Sequence, residues 1–185
     1  MTTTLDAFLG GQIQVEQPAR GYRAGVDPVL LAAACPAKAG QSVLDLGCGV
    51  GTAALCLRAR IGANIWGVEL NPDYVALAQL NGQRLGGQFT VVCADVTARP
   101  TPFANISFDH VITNPPYFAG QPLAHDPGKA QGRGGAIDVG LWIGTAQKRL
   151  RPRGMLTLIQ RMDRLPDVLR ACSGFGDIQI LPITA

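Results

Sequence analysis

The stretch VLDLGCGVGTAAL, residues 43–55, joins an apolar run to a glycine-rich turn and then to a helix-forming segment. A nearly continuous apolar run predicts a strand covered on both faces. Gly47, Gly49 and Gly51 allow close backbone approach to a ligand, and the following helix offers N-terminal amides. This order is typical of a ligand site at the edge of an α/β sheet. Read from Gly49, the spacing also fits G-x-G-x-x-A, so a dinucleotide remains open here.

Apolar runs of strand length recur along the chain with helical stretches between them. The predicted strands are residues 42–46, 64–70, 89–95, 108–113, 154–160 and 178–183. Asn71-Pro72-Asp73 supplies a helix cap, a proline in the first turn and a favourable acidic charge. The alternation predicts a doubly wound, mainly parallel α/β sheet in one domain.

Composition and cysteine usage narrow the class of protein. The chain has 185 residues, 47% hydrophobic and 16% charged, which is enough for one sizeable core and argues against disorder. Five cysteines without a C-x-x-C pair predict buried thiols in a reducing compartment. With neither a secretory pattern at the start nor an apolar run of membrane-spanning length, we expect a cytoplasmic protein.

Charge is concentrated in one part of the sequence. Residues 129–164 hold eight Lys or Arg against two Asp, a net of +6, which leaves −3 for the rest of a chain whose total is +3. Such a region can contact phosphates, although a solvated helix end has the same composition. The Gly- and Pro-rich segment at residues 119–136 has the length of a functional or mobile loop. Lys129 and Arg133 lie within it.

Three acidic residues accompany three consecutive predicted strands. Glu69 ends the second, about 20 residues after the glycines, where a carboxylate can bind both ribose hydroxyls. Asp95 ends the third, within reach of an adenine amine, and Asp45 precedes the glycines, where it can accept from turn amides or face an ammonium group. Taken singly, Glu69 also fits a charge at the start of a helix, Asp95 a turn residue and Asp45 an internal brace for the loop. Together, they favour a nucleoside-bearing ligand.

The fourth strand, in FDHVITNPPYFAG at residues 108–120, stops in a polar amide, two prolines and an aromatic ring. Prolines fix φ and remove backbone donors, so the turn presents carbonyl oxygens in a stiff geometry. The alternative is a rigid strand exit with Tyr117 packed in the core.

The motifs DLGCGVG and NPPY, with Glu69 and Asp95 between them, resemble those of S-adenosylmethionine-dependent methyltransferases of the NPPY type. With GYRAGVDPVLLAA upstream, the sequence is most similar to bacterial enzymes that methylate the exocyclic amine of an adenine beside the anticodon of a valine tRNA. The similarity covers about residues 17–160. It implies a Rossmann-like class I fold, S-adenosylmethionine as cofactor and S-adenosylhomocysteine as product.

The same resemblance implies roles for individual residues. The cofactor-binding set is Asp45, Gly47, Gly49, Gly51, Glu69, Asp95 and Val96, and the catalytic turn is Asn114, Pro115, Pro116 and Tyr117. Asn114 and the Pro115 carbonyl would accept hydrogen bonds from the amine, while Tyr117 would stack on a base that is flipped out or unpaired. Arg23, in a segment that resembles the family's cofactor-facing lid, joins Lys129 and Arg133 as a candidate substrate contact.

The predicted reaction is methyl transfer to an exocyclic amine, with N6 of adenine in tRNA as the first candidate. The partner is then tRNA or another structured RNA, and we expect neither a membrane nor a metal. A glutamine side-chain amide in a protein such as a release factor is an alternative, because NPPY turns serve both chemistries. An RNA-interacting protein that binds the cofactor without catalysis and an NAD-dependent oxidoreductase stay open.

The C-terminal end departs from the family pattern. The family's sheet ends with a seventh strand, antiparallel to the others and paired beside the sixth, whereas this sequence stops at ILPITA. We expect an N-terminal lid or substrate segment at residues 1–40 and a shortened methyltransferase domain at residues 41–185 that lacks the final antiparallel strand. An unpaired sheet edge favours self-association or instability.

Overall fold

The computed structural model describes residues 2–86, 89–98, 103–116 and 138–183. The strands are β1 (Thr3–Phe8), β2 (Ile13–Pro18), β3 (Ser42–Leu46), β4 (Asn64–Glu69), β5 (Phe89–Cys93), β6 (Phe108–Thr113) and β7 (Leu150–Leu158). The helices are α1 (Asp27–Ala34), α2 (Thr52–Ile61), α3 (Pro72–Arg84), α4 (Val139–Arg149) and α5 (Leu165–Ala171).

Strands β3 to β7 form one sheet in the order β5-β4-β3-β6-β7, and every neighbouring pair is parallel. The chain moves outward from β3 through β4 to β5, then returns to the other side of β3 for β6 and β7. The predicted doubly wound parallel sheet is therefore confirmed. The order reverses between β3 and β6, which is where α/β sheets bind their ligands.

Helices cover both faces of this sheet. Side chains alternate along each strand, so Val43 packs in the cluster formed with α1, α2 and α3, while Leu44 packs on the opposite face with Trp142 of α4. Helix α5 packs outside α4. Because both faces are covered, β3 and β6 are buried at nearly every position, including the polar residues Asp45, His110 and Thr113.

The N-terminal strands β1 and β2 form a separate antiparallel hairpin. Asn81 of α3, almost fully buried, connects this hairpin to the core: its Oδ1 accepts from Glu16 N at 2.8 Å, and its Nδ2 donates to Glu16 O at 3.0 Å and to Val50 O at 3.1 Å. A salt bridge of 2.6 Å between Arg84 and Glu16 lies beside it. The hairpin is thus fixed to both α3 and the glycine turn.

The prediction of a strand at residues 178–183 is wrong. These residues pair with no described strand, and their apolar side chains are exposed: Ile178, Ile180, Leu181 and Ile183. An apolar run becomes a strand only where a neighbour receives its backbone hydrogen bonds. Within the described ranges, no antiparallel strand joins the five-stranded sheet.

The prediction that the cysteines are buried is confirmed at four of the five positions. Cys93 is exposed at the end of β5, whereas the other four are buried: Cys35, Cys48, Cys56 and Cys172. All five thiols are free. Among the residues that the structure describes, there is no helix with the length and apolar content needed to cross a bilayer.

Candidate cofactor and methyl-transfer site

The site lies at the carboxyl end of the sheet, where β3 and β6 meet. The register pairs Leu46 with Thr113, and the Thr113 hydroxyl donates to Leu46 O at 2.9 Å. The next residues along the two strands are Gly47 and Asn114. The first glycine and the first residue of the predicted catalytic turn therefore emerge side by side at the switch point of the sheet.

The glycine turn adopts backbone conformations that favour glycine, with φ of 71° at Gly47, 55° at Gly49 and 91° at Gly51. A Cβ at Gly47 would lie 2.6 Å from the indole of Trp142, and one at Gly51 would lie 2.7 Å from the ring of Phe89. At Gly49 a Cβ would meet nothing within 4 Å. Packing explains the outer two glycines, and the middle one faces open space.

Four backbone amides of this turn are already engaged within the protein. The N–H groups of Gly47 and Cys48 donate to Val68 O at 2.8 and 3.0 Å, and that of Gly51 donates to Cys48 O at 2.8 Å. The N–H of Gly49 donates to a carboxylate, as described next. These four amides are therefore unavailable to a pyrophosphate in this conformation.

Glu69, the last residue of β4, links the glycine turn to the start of α3. Its Oε2 accepts from Gly49 N at 2.9 Å, and its Oε1 accepts from Asn71 N at 2.8 Å. The side chain is half-buried, so both oxygens keep a lone pair for a ligand hydroxyl. Asn71 in turn caps α3 by accepting from Asp73 N at 2.9 Å, as the sequence predicted.

Asp45 lies within β3 with only 2% of its surface exposed. A hydrogen bond from the backbone of Ala54 reaches its carboxylate, but Oδ2 has no hydrogen-bond partner among the described residues. Burial, with a smaller contribution from the charge of Glu69, raises the pKa of Asp45 to about 7. A buried carboxylate with an unused oxygen suits a cationic group such as an ammonium.

Asp95 and Val96 follow β5 at the same edge. Asp95 is exposed, and its Oδ1 accepts from both N and Oγ1 of Thr97 at 2.7 Å, so it closes its own turn. Val96 is buried, and its carbonyl accepts from the hydroxyl of Thr145 at 3.1 Å. The turn is held at its own residues and from α4.

The NPP segment leaves β6 directly after Thr113. Asn114 and Pro116 are half-buried and Pro115 is buried. On the far side of β6, Ile159 N donates to Thr113 O at 3.2 Å, which fixes the end of the strand from β7. Tyr117, Lys129, Arg133 and the segment at residues 119–136 lie outside the described residues.

The segment between β2 and α1 approaches the same edge. Arg23 makes a 2.6 Å salt bridge with Asp6, and Gln17 donates to Asp6 at 2.7 Å while accepting from Ala24 N at 2.7 Å. Burial, followed by the charges of carboxylates that include Asp45 and Glu69, raises the pKa of the half-exposed Tyr22. The backbone of Tyr22 hydrogen-bonds Tyr74 of α3, whereas Arg23 is occupied on the hairpin.

Metal ligands are not assembled in this region. Within residues 2–86, 89–98, 103–116 and 138–183, there is no group of three or more His, Cys, Asp and Glu that could hold a metal ion.

Comparison with known proteins identifies the family of this chain. Residues 43–123 match the model of a methyltransferase domain. The chain is 30% identical over 173 residues to the tRNA1(Val) (adenine(37)-N6)-methyltransferase of Porphyromonas gingivalis, a match that covers 88% of this chain and 68% of that protein. The chain belongs to the S-adenosylmethionine-dependent methyltransferases. The enzyme with the same name in Shewanella halifaxensis is 30% identical over 142 residues, covering 75% of this chain and 58% of its own length.

Solved methyltransferase structures share the fold. A predicted O-methyltransferase of Agrobacterium tumefaciens superposes with a TM-score of 0.63 at 25% identity, covering 80% of this methyltransferase and 67% of that chain. TrmN from Thermus thermophilus superposes with a TM-score of 0.59 at 22% identity, covering 78% and 40%. This methyltransferase spans 58 to 68% of the length of the two tRNA1(Val) (adenine(37)-N6)-methyltransferases named above.

The site fits the family's cofactor. S-adenosylmethionine carries an ammonium and a sulfonium but no phosphate, and the described edge presents Asp45 and Glu69 beside a glycine turn whose amides are occupied. Opposite charge favours such a ligand, and a pyrophosphate would meet two carboxylates. Family membership selects S-adenosylmethionine over the dinucleotide alternative, and the two carboxylates agree with that choice.

Several residues that shape the site carried no sequence signal. Phe89 packs against Gly51, Gly67 and Gly82, and Trp142 packs against Gly47. Their spacing in sequence is long and irregular, so periodicity could mark them only as core residues.

Proposed function

We propose that this methyltransferase transfers the methyl group of S-adenosylmethionine to an exocyclic amine, N6 of an adenine in tRNA. The observation that carries the proposal is the register of β3 and β6, which sets the NPP turn beside the glycine turn. Neighbouring strands lie about 4.8 Å apart, so an amine held by one turn would reach a methyl group held at the other.

The NPP turn provides the acceptors that this chemistry needs. An aromatic amine is a poor nucleophile because its lone pair is delocalised into the ring. The Asn114 side-chain oxygen and the Pro115 carbonyl would accept its two hydrogens, which favours a pyramidal nitrogen with a localised lone pair. Pro116 restricts the backbone of Pro115, so this carbonyl is held in a narrow range of directions.

The cofactor would lie across the ends of β3, β4 and β5. When bound, S-adenosylmethionine supplies an electrophilic methyl group on a sulfonium sulfur. Asp45 would face its ammonium, Glu69 its ribose hydroxyls, and the turn of Asp95 and Val96 its adenine, with Gly49 closest to the methionine part. The alkylated amine becomes acidic and loses its proton without a dedicated base.

The substrate assignment rests on the names of the relatives and on charge. Tyr117 would stack on the target base, and Lys129 and Arg133 would contact phosphates, with Arg23 available if its pair with Asp6 opens. In this proposal, residues 1–40 form a lid and substrate segment, and residues 41–185 form the catalytic domain.

The test is a methylation assay with labelled S-adenosylmethionine and three parallel substrates: unmodified tRNA, DNA and a release factor. We expect label in tRNA, and mass spectrometry of its nucleosides should show N6-methyladenosine. Label only in the release factor would replace the proposal with glutamine methylation. Cofactor binding with no labelled product would leave a binding protein without catalysis.

A further inference from the structure

Helix α4 packs on the face of the sheet opposite α1, α2 and α3. From there it contacts both halves of the proposed cofactor cleft. Its start is fixed by Asp138, whose Oδ1 accepts from Gly140 N at 2.8 Å. Its buried face carries Trp142 on one turn and Thr145 with Ala146 on the next. In sequence, α4 directly follows residues 117–137, the segment between the NPP turn and the helix.

Trp142 supports the methionine side of the cleft. Its indole fills the space where a Cβ of Gly47 would lie, at 2.6 Å and 2.7 Å from two ring carbons. The side chain is 8% exposed and packs with Leu44 and Leu46 of β3. The ring therefore limits movement of the first glycine toward α4.

Thr145 supports the adenine side. Its hydroxyl donates to Val96 O at 3.1 Å, and the two residues are 3% and 5% exposed. A buried carbonyl that loses its donor is costly, so this bond fixes the turn more firmly than its distance alone suggests. The Asx turn of Asp95 with Thr97 orders the turn internally but does not attach it to the sheet.

We propose that Thr145 is a positioning residue for the cofactor: through Val96 O it sets the turn that receives the adenine, while Trp142 sets the glycine turn from the same helix. The inference rests on the proposed cofactor cleft and deepens it.

The test measures cofactor affinity by calorimetry with S-adenosylhomocysteine in wild type, Thr145→Val, Thr145→Ser and Thr145→Ala. Valine keeps the shape and removes the hydroxyl, and we expect its Kd to rise roughly 3- to 10-fold. Serine restores the donor and should return the Kd to within about 2-fold of wild type. The rate of methyl transfer at saturating cofactor should change little, because Thr145 touches no reacting atom.

The serine and alanine variants differ only by the hydroxyl, so they decide the matter even if the valine variant fails to fold. Gln147→Ala is the matched control, because it removes a 3.3 Å bond to Gly174 O from the exposed face of α4. Equal Kd values for serine, alanine and wild type would overturn the positioning role and leave the proposed function intact. Wild type that binds no S-adenosylhomocysteine would overturn both.

Discussion

Two aspartates on neighbouring strands, at opposite ends of the sheet, differ in how completely they are bonded. Asp109, at the amino end of β6, accepts from Ser42 N at 2.8 Å and Ser42 Oγ at 2.9 Å and pairs with Arg151 at 2.6 Å. Asp45, toward the carboxyl end of β3, keeps Oδ2 without a described partner.

The pKa directions follow this difference. The hydrogen bonds from Ser42 and the charge of Arg151 lower the pKa of Asp109, whereas burial raises that of Asp45 to about 7. A satisfied carboxylate stabilises the fold in its charged form. An unsatisfied one costs free energy in the ligand-free protein, and such strain is typical of a functional site.

The largest effect is expected at the carboxyl end, in the NPP turn. Asn114→Ala should lower the rate of methyl transfer by about 100- to 1,000-fold, because it removes one of two acceptors for the amine. The Kd for S-adenosylhomocysteine should stay near wild type. Asn64→Ala, at the exposed amino end of β4, is the matched control and should keep its activity. An unchanged rate in Asn114→Ala would refute its role.

The next effect concerns the unsatisfied aspartate. Asp45→Asn should raise the Kd for S-adenosylhomocysteine by about 10- to 100-fold, since the ammonium loses a charged acceptor. The same variant should be at least as stable as wild type near neutral pH, because a buried charge is removed. Calorimetry and thermal unfolding measure the two quantities. A stability loss without an affinity loss would mean that Asp45 only braces the loop.

Substitution of Asp109, whose carboxylate is fully bonded, should reduce stability and leave cofactor affinity unchanged. Asp109→Asn should lower the free energy of unfolding by about 1–3 kcal/mol and leave the cofactor Kd unchanged, because it disturbs bonds to Ser42 and Arg151. Denaturant titration checks the first value. If cofactor affinity fell as well, the amino end of the sheet could no longer serve as a purely structural region.

The contributions of Asp45 and Asp109 to folding stability change with pH in opposite directions. Between about pH 4 and about pH 7, folded Asp45 holds a proton that the unfolded chain has released, so its contribution to stability falls as pH rises. Asp109 has a lowered folded pKa, so its contribution is lost as pH falls below the ordinary carboxylate range. Thermal unfolding is measured from about pH 2 to about pH 8. Asp45→Asn should remove the slope above about pH 4, and Asp109→Asn should remove the slope below it.

Cofactor binding should show the complementary trend. An ammonium beside Asp45 favours the ionised carboxylate, so affinity for S-adenosylhomocysteine should increase as pH rises toward and through about 7. Asp45→Asn should lack this rise. A rise that persists in the variant would assign the titration to another group.

The smallest effect is expected at the exposed partner of Asp109. Arg151→Gln removes a salt bridge whose Arg side chain is 49% exposed, and we expect a loss of about 0.2–1 kcal/mol in unfolding free energy. Denaturant titration at low and high salt should show the difference shrinking as salt increases. A loss that does not depend on salt would indicate packing by the Arg stem instead.

The sequence was sufficient to predict the structure where the local pattern and the tertiary environment agree. Strand β6 was predicted at the residues where it occurs, because Phe108, Val111 and Ile112 give it an apolar core and both of its faces are buried. Asn71 was predicted as a cap because capping is local. Glu69 and Asp45 were placed at the carboxyl side of the sheet by the strand-end rule for parallel sheets.

The rest depended on contacts that sequence spacing does not encode. Residues 178–183 have a strand-like composition but no pairing partner, so their prediction failed. The packing of Trp142 on Gly47 and the bond from Thr145 to Val96 join residues 49 to 95 positions apart, and only the three-dimensional structure shows them. The fit of the glycine turn to a cationic cofactor likewise depended on seeing where its amides donate.

The central claim is that the carboxyl end of this sheet is built for S-adenosylmethionine, and a pair of calorimetric titrations tests it most directly. Wild-type protein is titrated with S-adenosylmethionine and, separately, with NAD. The glycine turn with its occupied amides, Asp45 and Glu69 predict saturable binding of the methyl donor and no binding of NAD. Binding of NAD with no response to S-adenosylmethionine would contradict it.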